Sequence, residues 1–353
     1  MHRCIIPARI LSGRGHKCSL SPIPTLFGEP KPEVQAVVDA ADIIVLERLL
    51  VEDIHHNILK WREQGKRVYA TFDDAYHLLP KSGGIPALTW RGGKSHKVGT
   101  NSDGSERFGS ILNQFREGLR LVDGALVPSK VLMDDYWMYC ENMQFVPNIL
   151  HPNLWQDLKP RAPDNNFIII WGGSSAHDIS WRDSGLPQAL GSICKKYPRV
   201  NLHIRSLDPK ILILLDKANL QGRYTAHGWT TFEAWPKVVK MADLYAIPLA
   251  GEYDRRRSSL KCLESAMANI PWVASDLEPY HEARGGILVE NRSAAWVKAI
   301  SSLINSREER ERLAQEGRMW AESLWAGAGD LYETSLGIKK NEQPSQLQPT
   351  TTL

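Results

Sequence analysis

A chain of 353 residues is long enough for two domains, each with its own core, and its net charge of +3 is too small to argue for a nucleic-acid or membrane partner. The five cysteines, Cys4, Cys18, Cys140, Cys194 and Cys262, are odd in number and scattered, which argues against a disulfide framework or a zinc cluster and for a reducing compartment. The apolar run near the start is too short and interrupted for a signal peptide, and none approaches the ~20 residues of a membrane span.

The first half reads as alternating strands and helices. Cys4–Ile6 reads as a short buried strand running into the turn Ser12-Gly13-Arg14-Gly15-His16. Pro32–Ala41 reads as a helix, Asp42–Leu46 as a buried strand and Asp53–Gln64 as an amphipathic helix stopped by Gly65. Arg67–Phe72 is the next strand, ending in Asp73-Asp74. This order implies a parallel sheet, whose ligands bind beyond the carboxyl ends of the strands, where Asp73 and Asp74 fall. Paired carboxylates suit a metal or a general base; the plainer reading is a turn cap. Trp90–Gly109 has no period and carries Arg91, Lys94, His96, Lys97 and Arg107. It reads as a long mobile loop of the kind that is often functional, or as a solvated surface loop. Helix Ile111–Leu119, strand Gly124–Val127, a helix capped by Ser129, and strand Gln144–Val146 complete this half.

Residues 151–166 are polar and Pro-rich and read as a linker. Phe167–Trp171 is apolar throughout and opens a second parallel sheet. The loop after it, Gly172-Gly173-Ser174-Ser175-Ala176-His177, has the small residues that let a backbone approach phosphate or sugar. His177 is a candidate ligand contact or a loop-packing histidine. Helices at 185–196, 210–217 and 232–241 alternate with strands at 200–204, 224–227 and 244–248. Helices at 293–304 and 307–324 follow. The tail from Lys339 is polar and reads as disordered.

The densest chemistry lies in Arg255–Ser275. Ser258 or Ser259 is positioned as N-cap of a helix on which Leu260, Leu263 and Met267 repeat at helical spacing. Asn269 closes it and Pro271 prevents its continuation. Arg255, Arg256, Arg257 and Lys261 crowd the positive end of that helix, which is unfavourable unless an anion such as a pyrophosphate sits there. A solvated basic loop is the alternative. Glu264, one turn in, offers acceptors to a sugar or ribose diol.

The pattern Arg257-Ser258-x-x-Lys261-x-x-Glu264 followed by Ala-Met-Ala-Asn-Ile-Pro-Trp-Val-Ala-Ser resembles the donor-binding segment of GT-B glycosyltransferases, most closely the retaining family 4, or group 1, enzymes. The run from Gly228-Trp229 to Ala242-Asp243-Leu244-Tyr245-Ala246-Ile247-Pro248-Leu249 resembles the same family. The resemblance covers residues 167–325 well and the first half loosely. It implies an α/β fold of GT-B architecture: a Rossmann-like acceptor domain at 1–150, a linker at 151–166, and a nucleotide-sugar domain at 167–325 whose final helix crosses back. The tail is 339–353. It implies transfer of a sugar from a nucleotide-diphosphate sugar to a hydroxyl, with retention, no metal and no other cofactor. Arg257 and Lys261 would be catalytic. Gly173, Ser174, His177, Tyr253, Ser258, Ser259, Leu260 and Glu264 would hold the donor, with Glu264 on the ribose. Gly15, His16, Asp73 and Asp74 would border the acceptor. Many members carry a Glu eight residues before the ribose Glu; here that position is Arg256, and Glu252 and Asp254 lie close by. The expected partners are a nucleotide-sugar and a glycan, lipid-linked or nucleic-acid acceptor, in the cytoplasm or peripheral to a membrane. The alternatives are a glycosyltransferase acting on hydroxylated DNA bases and a non-catalytic nucleotide-sugar or glycan binder.

Overall fold

The computed structural model describes residues 2–26, 29–79, 90, 96–100, 103–156, 158–159, 161, 164–174 and 177–338. Two wholly parallel sheets organise these residues. The first has four strands, β1 (Ile43–Glu47), β2 (Arg67–Thr71), β5 (Gly124–Val127) and β6 (Met143–Phe145), paired in that order. The second has six, in the order β12-β11-β10-β7-β8-β9: β7 (Phe167–Gly172), β8 (Val200–Arg205), β9 (Tyr224–Ala226), β10 (Leu244–Ile247), β11 (Trp272–Ser275) and β12 (Gly286–Val289). Strands β5, β7, β10 and β11 are buried at every residue, which is what parallel strands covered on both faces require.

In the first half, helices α3 (Glu52–Glu63) and α4 (Ile111–Leu121) contribute Ile54, Ile58, Trp61, Phe115 and Leu119 to one core with Val68, Ala70, Ala125 and Val127. Helices α2 (Pro32–Asp39) and α5 (Lys130–Tyr136) complete it, the latter capped by Ser129 as its sequence predicts. The remaining face is covered by α1, Ile5–Ser12. This corrects the expected strand at Cys4–Ile6. Ile6, Ile10 and Leu11 are spaced for one helix face, and they pack on Tyr69, Leu126 and Val146 of the sheet and on Ala328 and Tyr332. Reading three consecutive apolar residues as a strand overlooked that wider spacing.

The second half has a separate core built from β7, β8, β10 and β11. Around it lie helices α6 (Asp178–Asp183), α7 (Leu186–Lys196), α8 (Pro209–Lys217), α9 (Trp235–Lys240), α10 (Leu260–Met267) and α11 (Ser293–Asn305). Asn269, in the left-handed conformation at φ 54°, ends α10 ahead of Pro271. The last helix, α12 (Arg307–Ser335), continues well past the expected end at residue 324. Its final turns return to the first half, where Arg14 Nε donates to Glu333 at 2.7 Å and Arg67 donates to the carbonyls of Leu336 and Gly337. No helix among the described residues is long and apolar enough to cross a membrane.

The segment expected to be a loop without period contains an antiparallel pair, β3 (His96–Thr100) and β4 (Glu106–Gly109). Arg91, Lys94, Ser175, Ala176 and the tail 339–353 lie outside the described residues.

Candidate functional site

The carboxyl ends of both sheets meet the segment 250–264. Helix α10 starts after Ser259, whose side chain makes no capping bond, so the free N–H groups of the first turn are not closed by their own cap. The expected alternative cap, Ser258, is used otherwise: its hydroxyl accepts from Asn148 Nδ2 at 2.9 Å, joining the end of the first half to the helix start. Leu260 packs on the second core.

The four cations at this end divide into two kinds. Arg255 pairs with Glu278. Arg256 holds Asp135 with two bonds, at 2.8 and 3.1 Å, and also pairs with Glu252. Arg257 Nε donates to Asp254 at 3.1 Å, with its guanidinium 4.8 Å from the centre of the Tyr253 ring. Excess positive charge therefore does not by itself demand an anion, because the protein supplies carboxylates to all three arginines. Lys261 differs. Its Nζ donates to the carbonyl of Gly172 at the end of β7 and lies 5.8 Å from the centre of the Trp171 ring, with no carboxylate within ion-pair distance among the described residues. Burial pushes its ammonium down to about 8, Glu264 acting to raise it and Arg257 to lower it.

The loop after β7 lies against these cations. His177 is 3% exposed, edge-on to Trp171 at 5.6 Å, with Nδ1 3.4 Å from the Ser180 hydroxyl. Burial, then Arg257 and Lys261, hold His177 well below its ordinary range, so it is neutral at pH 7. Ser180 in turn donates to Asp254, which also accepts from the Ala250 N–H at 2.8 Å. Asp254 is thus a structural hub, 2% exposed, and Glu252 is committed to Arg256. Gly173 has a packing reason to lack a side chain: a Cβ there would stand 2.7 Å from Trp171 and 2.8 Å from His177. Ser174 is exposed beside it.

Glu264 sits one turn into α10, 8% exposed, with Tyr245 OH 3.5 Å from Oε2. Burial raises its pKa, while Lys261 and hydrogen bonds from Trp235 and Tyr245 oppose the rise.

Across from this lie the ends of β1 and β2. Tyr253 OH donates to Asp74 Oδ1 at 2.7 Å, and Arg48 donates to Asp73 Oδ1 at 2.9 Å. The structure brings Asp73, Asp74, Tyr253, Arg257, Lys261, His177 and Glu264 to one region. Gly15 and His16 go elsewhere. They follow α1 rather than a strand, and His16 Nε2 lies 3.0 Å from Glu333 on α12. The turn closes on the returning helix, because Arg14 and His16 both find their carboxylate there. Residues with no signal in the sequence are Arg48, Tyr76, Asp135 and Ser180, whose roles depend on contacts between distant segments.

Residues 185–306 match the family model of Glycosyl transferases group 1. The matched stretch lies on the second sheet and its helices, and the two parallel sheets are those of a GT-B fold. Solved structures share that fold at low identity. A Staphylococcus aureus TarM variant, crystallised with fondaparinux, α-GlcNAc-glycerol and UDP, is 16% identical with a TM-score of 0.53, covering 79% of this chain and 52% of that one. Sucrose-phosphate synthase from Thermosynechococcus elongatus is 15% identical with a TM-score of 0.54, covering 88% and 81%. The pneumococcal O-GlcNAc transferase GtfA, in complex with UDP and GlcNAc, is 13% identical with a TM-score of 0.56, covering 87% and 60%. The chain spans about half the length of the TarM chain it matches. No curated protein sequence matches it significantly.

Proposed function

We propose that this glycosyltransferase-fold chain transfers a sugar from a nucleotide-diphosphate sugar to a hydroxyl acceptor, with retention and without a metal ion. Lys261 carries the reading. It is the buried cation at the open N-terminus of α10 that no carboxylate neutralises among the described residues, and a diphosphate is the group such a site stabilises. In the reaction the acceptor oxygen bonds to the anomeric carbon as the bond from that carbon to the diphosphate oxygen breaks. The acceptor proton leaves with the diphosphate or to solvent. Charge grows on the diphosphate, and Lys261, Arg257 and the helix N–H groups stabilise it more in the transition state than before. Glu264 would accept from the ribose diol, and neutral His177 and Ser174 would border the donor sugar.

UDP, GDP and ADP sugars should be screened by thermal shift, because a cognate ligand stabilises the folded state by mass action. The expected result is a rise with one base class, then slow hydrolysis of that donor without acceptor. No shift with any donor would sink the reading. A second reading, a non-catalytic nucleotide-sugar binder, is favoured by one observation: Arg256, at the position where many family members carry an acidic residue, is tied to Asp135. A thermal shift with no hydrolysis and no transfer would support the binder.

A further inference from the structure

An open cavity of about 290 Å³ lies at the C-terminal end of α10, the end opposite Lys261. Trp155 and Leu158 of the linker, Lys240 at the end of α9, Met267 of α10 and Arg318 of α12 line it. Small-molecule sites begin at roughly 300 Å³, so the space suits a small ligand. Two cations share the cavity. Lys240 Nζ donates to the carbonyl of Ala268 and Arg318 donates to that of Met267, each at 2.8 Å. The exposed carbonyls of a helix C-terminus attract a cation, and that accounts for either one. A second beside it adds repulsion: burial, and then Arg318, hold the pKa of Lys240 below its ordinary value. Among the described residues Lys240 has no carboxylate within ion-pair distance, and Arg318 has the exposed Glu322, at 2.6 Å from its Nε. Donors are left over. An ammonium has three N–H groups and a guanidinium five, and these bonds use one of the former and two of the latter. Trp155 adds another: it is 4% exposed and its indole N–H has no partner. Leu158 and Met267 complete the lining with apolar surface.

We infer that this cavity binds a small organic anion, with a phosphate or carboxylate head between Lys240 and Arg318 and a ring or other apolar body against Trp155 and Leu158. The site is separate from the one at the start of α10, and the inference does not rest on the glycosyltransferase reading. Its side chains offer an excess of donors and of positive charge, and an anionic head supplies both the acceptors and the opposite charge. The carbonyls of Met267 and Ala268 are already engaged by the two cations, so the head meets N–H groups rather than the negative end of the helix. The body matters as well as the head. A bare inorganic anion would leave the apolar wall of Leu158 and Met267 without contact, and a neutral body would leave the two cations uncompensated. A bound ligand would touch the linker, α9, α10 and α12 at once, so it would hold the linker against the second half.

The experiment titrates the full chain with phenyl phosphate, benzoate, phenol and inorganic phosphate by calorimetry at low ionic strength. A Lys261→Met protein is titrated beside it, because the start of α10 is the other place where an anion could bind. Phenyl phosphate or benzoate should bind both proteins alike, and which of the two binds more tightly identifies the head. Inorganic phosphate should bind more weakly and phenol should not bind. Lys240→Gln and Arg318→Gln each keep a donor for the helix carbonyl and remove the charge, so each should weaken the organic anion about tenfold or more. Arg318→Lys keeps the charge and should bind more tightly than Arg318→Gln. Melts without ligand show which variants are folded, and the two glutamine variants are independent, so either one suffices. Binding of neither organic anion would overturn the inference. So would phenol binding as tightly as the anions, or binding that Lys261→Met abolishes and the folded glutamine variants leave unchanged.

Discussion

The hydroxyl of Tyr253 donates to Asp74 at 2.7 Å, so the loop that leads into α10 is hydrogen-bonded to a residue at the end of the opposite sheet. The same ring lies under the guanidinium of Arg257. One side chain therefore couples the end of the first sheet to a cation at the start of α10.

Tyr253→Phe separates these two roles, since it keeps the ring and removes the bond. A hydrogen bond to a charged group is worth about 1.5–3 kcal/mol, so transfer should fall roughly ten- to hundredfold while nucleotide binding is nearly unchanged. Steady-state kinetics beside calorimetry with the nucleotide would check this. A loss of nucleotide affinity equal to the loss of turnover would assign Tyr253 to donor binding alone.

Lys261 makes a prediction about pH. Its folded-state pKa is depressed to about 8 from 10.5 by burial, so between those values the unfolded chain binds more protons than the folded one. Stability contributed by this site therefore rises with pH across that window. Below it the folded protein bears the full cost of a buried ammonium, about 3 kcal/mol at most by the usual conversion of pKa shift to free energy. Lys261→Met should raise the melting temperature at pH 7 and flatten that rise. It should also lower turnover by about 10²–10³, the usual loss when one preorganised donor to a developing charge is removed. In the wild type, kcat/KM should fall as pH rises through about 8, where the free enzyme loses this proton. A destabilised Lys261→Met variant at pH 7 would show that burial is not what sets this group's pKa.

Glu264 is best tested by Glu264→Gln, which keeps a partner for Tyr245 and Trp235. If Glu264 holds the ribose diol, the variant should lose about 2–3 kcal/mol of nucleotide affinity, the worth of a charge-assisted pair of hydrogen bonds. The wild type should discriminate against the 2′-deoxy nucleotide and the variant should not. Equal discrimination by both proteins would remove Glu264 from the ribose.

The second half was the more legible in sequence, and the reason is physical. Its strands are short apolar runs between helices with recognisable stops, such as Asn269 and Pro271 after α10. The first half misled at Cys4–Ile6, where helical spacing over Ile6, Ile10 and Leu11 was hidden by a local run and a proline. The segment 257–264 could be found because its residues are neighbours along one chain stretch and one helix. Their partners could not. Asp135 for Arg256, Asp74 for Tyr253 and Asn148 for Ser258 come from other elements, and no local pattern announces them. Local counting of charge thus overstated the free positive field, which three carboxylate-bound arginines reduce to Lys261 and the helix end.

Arg256 allows the enzyme and the binder to be told apart. It stands eight residues before Glu264, where many family members carry a glutamate, and it is held between Asp135 and Glu252 with its side chain 16% exposed. Arg256→Glu would restore the family's residue type but set three carboxylates together, with Asp135 only 15% exposed. Removing one partner of a largely buried pair costs about 3 kcal/mol or more, so the variant should melt lower and transfer less. The charge-reversed double variant, Arg256→Asp with Asp135→Arg, should recover much of the melting temperature, because it rebuilds the pair in the opposite sense. Thermal melts and transfer assays on the single and double variants give the coupling directly. A single Arg256→Glu variant that gains transfer over the wild type would reverse the conclusion: Arg256 would then be the substitution that silenced a donor site, and the chain would be a binder.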